Sequence, residues 1–328
     1  MTTETATSTA RAFALDEFGA PGSVRDVPVR APGEGEMLVR VHAAGVNPFD
    51  LSVIGGHVQG MMEHRFPLVP GIDAAGVVEA VGPEVTRFAV GDAVFGQFLK
   101  PYAGEGVFAE AVVIPSEGML AHKPASLDFA QAAALGTPVL AARDAVIALA
   151  PKQGDTVLIV GAAGGIGSYA IQLLAREGVQ VLATGRPGQE GYLRGLGATE
   201  VIDFTSTDVT AAVRTHHPDG IDGLIDLVHR TPAEVTQQAE VVRPGGRVAS
   251  TIGAADAEAL GQRGIAGTNV MAGTTATPQD LEAIADMVAR GELRVPIAHV
   301  FSLEETPVAL DWLQSGPVQG KVVIEPQR

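Results

Sequence analysis

Asp155-Thr-Val-Leu-Ile-Val-Gly-Ala-Ala-Gly-Gly-Ile-Gly-Ser-Tyr-Ala-Ile-Gln-Leu-Leu-Ala-Arg-Glu-Gly178 is the stretch whose reading decides the fold. Val157 to Val160 is a short β-branched, apolar run of the kind that forms a buried parallel strand. Gly161 to Gly167 is a glycine-rich turn, and Ile166, Ala170, Ile171 and Leu174 then recur at helical spacing. Strand, glycine turn and helix form the frame of a dinucleotide-binding fingerprint. The spacing Ala162-x-Gly164-x-x-Gly167 matches it with alanine at the first glycine position. Gly164 lets the backbone approach a pyrophosphate, Gly167 lets the helix pack closely on the strand, and the helix N-terminus offers N–H groups to the phosphates. Ala163, Gly164, Gly165 and Ile166 are therefore candidate phosphate contacts. The alternative is a purely structural glycine turn.

Working outward, 328 residues suffice for two domains with large cores. Hydrophobic residues at 46% against 18% charged point to a globular chain. The formal net charge of −16 argues against a nucleic-acid or anionic-membrane partner. Without cysteine there are no disulfides, thiolate nucleophiles or cysteine-based metal sites. No run approaches the ~20 apolar residues of a membrane span. Met1 to Ala10 is small and polar, lacks signal-peptide character, and reads as a flexible tail on a cytoplasmic enzyme.

From Arg11 to about Ser126 the pattern is mostly β, with strand-like runs at Met37–His42, Ala75–Val81 and Ala109–Ile114 between Gly/Pro/Asp turns. Asp128–Leu135 and Pro138–Leu149 are alanine-rich and helical. Strand-like runs at Val157–Val160, Val179–Thr184, Val201–Asp203, Leu224–Val228 and Arg247–Ile252 imply a parallel, doubly wound α/β sheet. Gln279 to Arg290 is a further helix closed by Gly291, and Lys321 to Ile324 is the last strand.

Several segments in this order resemble the zinc-independent medium-chain dehydrogenases/reductases of the quinone oxidoreductase branch. They are Ala43-Ala-Gly-Val-Asn-Pro-Phe-Asp50, Val69-Pro-Gly-Ile-Asp-Ala-Ala-Gly-Val-Val-Glu-Ala-Val-Gly82, Phe88-Ala-Val-Gly-Asp-Ala-Val-Phe-Gly96, the glycine turn, Arg243-Pro-Gly-Gly-Arg-Val248 and Gly320-Lys-Val-Val323. The resemblance implies a mostly-β, GroES-like catalytic domain from residues 1–126 and 274–328. It implies a Rossmann domain for NADPH at 127–273, and a homodimer or homotetramer. Related zinc enzymes carry Gly-His-Glu where this chain reads Gly71-Ile72-Asp73, so no metal is expected.

An NAD-selective site places an acid about 20 residues past the glycine turn. Here the Val179–Thr184 strand ends in Gly185-Arg186 instead, which suits a 2′-phosphate and hence NADPH, unless Arg186 is simply a solvated loop residue. Tyr192 stacks on the adenine or bonds that phosphate, as the resemblance suggests. It also implies that Asn47 reaches the nicotinamide ribose or the substrate carbonyl; the plainer reading is an Asn-Pro turn. Thr137 faces the nicotinamide in such enzymes, or is a helix cap here. Ile252 and Asn269-Val270-Met271 line the carboxamide side, and Lys321 lies near the same pocket or flanks a strand at the surface. Asp50 looks structural. Tyr102, His57 and His64 are candidate proton donors. Residues Ile54 to Pro67 shape the substrate pocket, and His229-Arg230 replaces the glycines that many relatives carry.

The expected reaction is hydride transfer from NADPH to a small-molecule quinone or α,β-unsaturated carbonyl, with Asn47 as a donor to the developing oxyanion. The alternatives are an enoyl reductase or tailoring enzyme of a biosynthetic pathway, and a protein that binds NADPH without turnover.

Overall fold

The computed structural model describes residues 6–316 and 318–328. The chain divides into two compact units, one running to Thr137 and resuming as Thr277–Arg328, the other Pro138–Ala276. The sequence reading cut at Ser126 and Gly273 instead. Residues 127–137 stay with the first unit because a short helix there packs on its strands.

The first unit is built mostly of strands. In chain order these are β1 (Ala6–Ala14), β2 (Ser23–Arg30), β3 (Glu36–Val46), helix α1 (Pro48–Ile54), β4 (Glu63–Val69), β5 (Asp73–Val81), β6 (Ala93–Gln97), β7 (Tyr102–Glu105), β8 (Ala111–Pro115), β9 (Leu120–His122) and α2 (Phe129–Ala133). Helix α3 (Gly136–Leu149) then leads into the second unit. Alternation in β3 between apolar and polar positions buries Met37, Val39 and Val41 in one core with Val94, Ile114 and Leu120. β1 pairs antiparallel with β2 from Ala6 onward, so the expected tail is a strand from that residue; Met1–Thr5 lie outside the described residues. On α2, Phe129 stacks on His42 of β3 with ring centroids 4.2 Å apart.

The second unit continues as β10 (Thr156–Val160), α4 (Gly165–Arg176), β11 (Gln180–Gly185), α5 (Glu190–Leu196), β12 (Glu200–Asp203), α6 (Val209–His216), β13 (Ile221–Asp226), α7 (Pro232–Gln238), β14 (Val242–Ser250), α8 (Ala257–Gly261) and β15 (Ala266–Asn269). Its six strands are all parallel, in the order β12-β11-β10-β13-β14-β15. All five residues of β10 are buried, as both-face coverage of a parallel sheet requires. This is the doubly wound sheet that the sequence predicts. β15, which follows a short helix, is the strand its pattern did not reveal.

The chain returns to the first unit with α9 (Pro278–Ala289), β16 (Ile297–Ser302), α10 (Thr306–Ser315) and β17 (Lys321–Glu325). β17 pairs antiparallel with β3, which sets Val322 opposite Val46 and brings Lys321 beside the start of α1. The main sheet runs β16-β17-β3-β5-β6-β9, with β8 also on β3. Among the described residues no helix is long and apolar enough to cross a membrane.

Candidate active site

The first unit gathers five polar side chains where β3, β5 and β17 meet the starts of α1 and α3. Asp73, fully buried at the head of β5, is the hub. Its Oδ1 accepts the Thr137 backbone N–H at 2.9 Å and the Thr137 hydroxyl at 2.8 Å, and its Oδ2 accepts Asn47 Nδ2 at 2.9 Å. A Cβ on Gly136 would lie 2.3 Å from that Oδ1, so glycine there makes the approach possible. Gln97 on β6 donates to the Thr137 hydroxyl at 2.9 Å. Lys321 Nζ donates to Asn47 Oδ1 at 2.7 Å and to the Val46 carbonyl at 2.5 Å.

Asn47 is thus saturated. Its second amide hydrogen reaches the Gly45 carbonyl at 3.3 Å, its backbone N–H is taken by Asp50 Oδ2 at 2.7 Å, and only 4% of its surface is exposed. The expected oxyanion donor instead ties α1 to β5 and β17, since every donor it has is already used. Lys321 is likewise no surface lysine: it is 4% exposed. Thr137 serves Asp73 rather than capping its own helix.

Burial sets the charges here. It raises the pKa of Asp73, opposed by Lys321 and by the bonds from Asn47 and Thr137. It raises Asp50 to about 7, helped by the Asp73 charge and opposed by the Asn47 N–H and Lys321. It lowers Lys321, which both aspartates pull back upward. Two buried carboxyls share one buried ammonium, so the trio is electrically balanced only when one carboxyl keeps its proton. Asp73 accepts three hydrogen bonds, which favour its charged form, whereas Asp50 accepts one and its Oδ1 none among the described residues, so the geometry leaves the proton to Asp50.

In the second unit the glycine turn joins β10 to α4. Gly161, not residue 162, makes the tight turn: its φ is +85°, and a Cβ would meet Val228 Cγ2 at 2.7 Å. Gly164 caps α4, and a Cβ there would meet only the Gly161 carbonyl, at 3.6 Å. Gly167 has no such room, with Ala162 Cα at 2.6 Å from the same added atom. The cradle therefore has one open glycine and one closed by helix packing. The first N–H groups of α4, beginning with Gly165 and Ile166, have no acceptor within the helix. Ala163 is buried beside them.

At the end of β11, a Cβ on Gly185 would strike Leu193 of α5 at 2.7 Å. Arg186 follows, exposed and without an ion pair among the described residues; its guanidinium carbon lies 5.2 Å from the Phe204 ring centroid. The Tyr192 hydroxyl is buried with no hydrogen bond of normal geometry. Burial pushes its pKa up to about 12, against the weaker pull of the nearby Ser168 hydroxyl. Past β14 and β15, Ile252 is 45% and Met271 72% exposed. The Asn269 amide closes on both backbone groups of Ala255, at 2.8 and 3.0 Å, and the Val270 N–H goes to the Ser250 carbonyl at 2.8 Å. Asp144 of α3 holds the next residues, accepting the Gly273 N–H at 3.0 Å and the Thr275 hydroxyl at 2.5 Å. An open glycine, an orphaned buried hydroxyl and an unpaired arginine around one helix start fit a phosphorylated dinucleotide.

Two family models match: an alcohol dehydrogenase GroES-like domain over residues 33–125 and a zinc-binding dehydrogenase over 196–324. The chloroplast quinone oxidoreductase QR1 of Triphysaria versicolor is 30% identical across 92% of this chain and 93% of its own length. This chain belongs to the medium-chain dehydrogenase/reductase family, among its quinone oxidoreductases. It is an oxidoreductase of that family, with a nicotinamide cofactor. The rat quinone oxidoreductase is 33% identical over 73% of this chain and 71% of its own. The solved quinone oxidoreductase of Coxiella burnetii superposes with a TM-score of 0.87 at 28% identity, covering 97% and 99% of the two chains. A 2-methylene-furan-3-one reductase of Solanum lycopersicum is 29% identical over 96% of this chain and 79% of its own.

Within this family member the expected proton donors are scattered. The Tyr102 hydroxyl donates to Glu105 at 2.9 Å, and Tyr102 lines a basin of about 590 Å³ with Arg30, Glu36, Arg65 and Lys100. His64 packs edge-on against Phe18 at 5.0 Å with its Nε2 buried and unpartnered, while His57 is exposed. In the Ile54–Pro67 stretch, Met61 is 80% exposed, and Phe66, at 43%, also rests edge-on against Phe18. The sequence reading missed Asp73 as the hub; an acid inside the apolar run Val69–Val78 was the available signal. It also left His229 unexplained, although its ring Nδ1 lies 2.6 Å from the fully buried Asp226.

Proposed function

We propose that this enzyme is an NADPH-dependent reductase of quinones or α,β-unsaturated carbonyls that works without zinc. The observation that carries the proposal is Arg186, exposed and unpaired at the end of β11, where an NAD-selective site would hold an acid. When bound, the nicotinamide supplies the hydride. Gly164, Gly165, Ile166 and Ala163 would present backbone to the diphosphate, Arg186 and Tyr192 would receive the 2′-phosphate side, and Gly185 lets the end of β11 pack against Leu193 beside them. Ile252, Asn269, Val270 and Met271 would border the nicotinamide half; the Val270 carbonyl and Met271 N–H, free of partners among the described residues, suit a carboxamide.

Asn47, Thr137 and Lys321 would act structurally, holding Asp73 and the start of α1 together within the first unit. With Asn47 engaged, the acceptor must delocalise its own developing charge, which favours quinones and conjugated enones. The names of the quinone oxidoreductases and the furanone reductase support the same chemistry. Zinc independence is supported by the donor set: Ile72 stands at the histidine position, the chain has no cysteine, and Asp73 already accepts bonds from Asn47 and Thr137. A cytoplasmic homodimer or homotetramer is the assembly we favour, with the exposed edge strand β15 as the joining surface.

The test is NADPH oxidation with a para-quinone, a conjugated enone and a saturated ketone, before and after dialysis against a strong chelator. Quinone or enone should be reduced fastest and the chelator should change nothing. Fastest turnover of the saturated ketone, or activity lost to chelation and restored by zinc, would overturn the assignment. Tight NADPH binding without turnover of any acceptor would favour a binding role.

A further inference from the structure

We propose that His229 contacts the bound dinucleotide directly, through a phosphate or ribose oxygen, and that the buried Asp226 carboxylate aims its ring. The inference rests on reading the glycine turn as the cofactor site, and goes beyond it by assigning a residue where relatives commonly carry glycine.

The place comes from topology. Chain order runs outward in both directions from the β10-β13 boundary, with β11 and β12 on one side and β14 and β15 on the other. In open α/β sheets the crevice at such a switch point, beyond the carboxyl ends of the strands, is where ligands bind. His229 stands in the loop that leaves β13 at that end. The Leu227 N–H bonds to the Val160 carbonyl at 3.1 Å, and a Cβ on Gly161 would collide with Val228 at 2.7 Å. The residues just before His229 are thus packed on the turn that would hold the diphosphate.

The aim comes from Asp226. Its Oδ1 accepts the N–H groups of Val228 at 3.1 Å and His229 at 2.9 Å. Its Oδ2 faces the imidazole Nδ1 at 2.6 Å, and its side chain is wholly buried while that of His229 is 28% exposed. With the carboxylate accepting throughout, Nδ1 carries the proton. Nε2 then points away from Asp226 and has no partner among the described residues. As a lone pair it accepts from a ribose hydroxyl; when protonated it donates to a phosphate. A buried carboxylate that locks one ring nitrogen and leaves the other outward is the arrangement that orients ligand-binding imidazoles elsewhere.

The competing explanation is that His229 exists only to satisfy Asp226. Asparagine separates the two, because its Nδ2 can replace Nδ1 against Asp226 while nothing replaces Nε2. Binding of NADPH and of 2′-phospho-ADP-ribose would be followed by fluorescence and calorimetry for wild type, His229→Ala and His229→Asn, with melting temperature beside them. We expect both variants to bind both ligands about five- to tenfold more weakly, and His229→Asn to keep the wild-type melting temperature. Wild-type affinity in His229→Asn would overturn the proposal, leaving only the Asp226 role. A loss seen for NADPH but not for 2′-phospho-ADP-ribose would also overturn it, since the contact would then lie on the nicotinamide. Failure of the wild type to bind either ligand would instead refute the cofactor reading, and the proposal with it.

Discussion

Lys321 Nζ lies 2.7 Å from Asn47 Oδ1, joining the last strand of the chain to the first turn of α1 inside a fully buried site. Asn47 in turn reaches Asp73, so one amide bridges a buried cation and a buried acid. Removing the bridge strands both. Asn47→Ala should cost about 1–3 kcal/mol of stability, and Lys321→Met, which leaves two carboxyls without their cation, about 3–5 kcal/mol. Urea unfolding measures both. An Asn47→Ala variant of unchanged stability but much lower kcat would restore the oxyanion role that the geometry argues against.

Asp50 gives the protein an unusual pH response. The folded chain holds a proton on this group up to about pH 7, whereas the ordinary aspartate value is 3.8. Between those values the folded state binds more protons than the unfolded one, so the Asp50 contribution to stability falls as pH rises. It is complete below about pH 4 and flat above about pH 7. Asp50→Asn should remove that slope. The urea midpoint at pH 5 and pH 7.5, compared between wild type and variant, reads it; equal slopes in the two would refute the buried-proton assignment.

Gly164 and Gly167 should separate binding from folding. An alanine methyl at Gly164 meets only the Gly161 carbonyl, at an ordinary contact distance of 3.6 Å, so Gly164→Ala should keep its melting temperature and lose NADPH affinity about tenfold or more by blocking the backbone's approach. The same methyl at Gly167 drives into Ala162, so Gly167→Ala should lose roughly 1–3 kcal/mol of stability, as overpacking does. Equal behaviour of the two variants in melting and NADPH titration would count against the cradle.

Arg186→Ala should weaken NADPH about ten- to a hundredfold and leave NADH nearly unchanged, as loss of a charge-assisted bond to the 2′-phosphate requires. Titrating both cofactors into both proteins decides it. Equal wild-type affinities for NADPH and NADH would show that Arg186 is a solvated loop residue.

Much was legible without coordinates. The run Val157–Val160, the glycine turn and the following helical spacing are local patterns, governed by strand burial and by where a side chain can fit. They were sufficient for the parallel sheet, and the ordered motifs were sufficient for the family. The absence of an acid at Gly185-Arg186 is likewise written in the chain.

What only the tertiary structure decided is which polar groups are already spent. The donor role of Asn47 is what the family resemblance implies; whether its amide is free depends on Gly45, Asp73 and Lys321, the last of these 274 positions away. The first-glycine role passed to Gly161, whose φ is positive and on which Val228, from the loop after β13, presses. Asp226 and His229 are near neighbours in sequence, yet their meaning came from the β10-β13 switch point that surrounds them. Local spacing determines backbone conformation, whereas hydrogen-bond satisfaction and burial belong to contacts between distant segments, which no window of sequence contains.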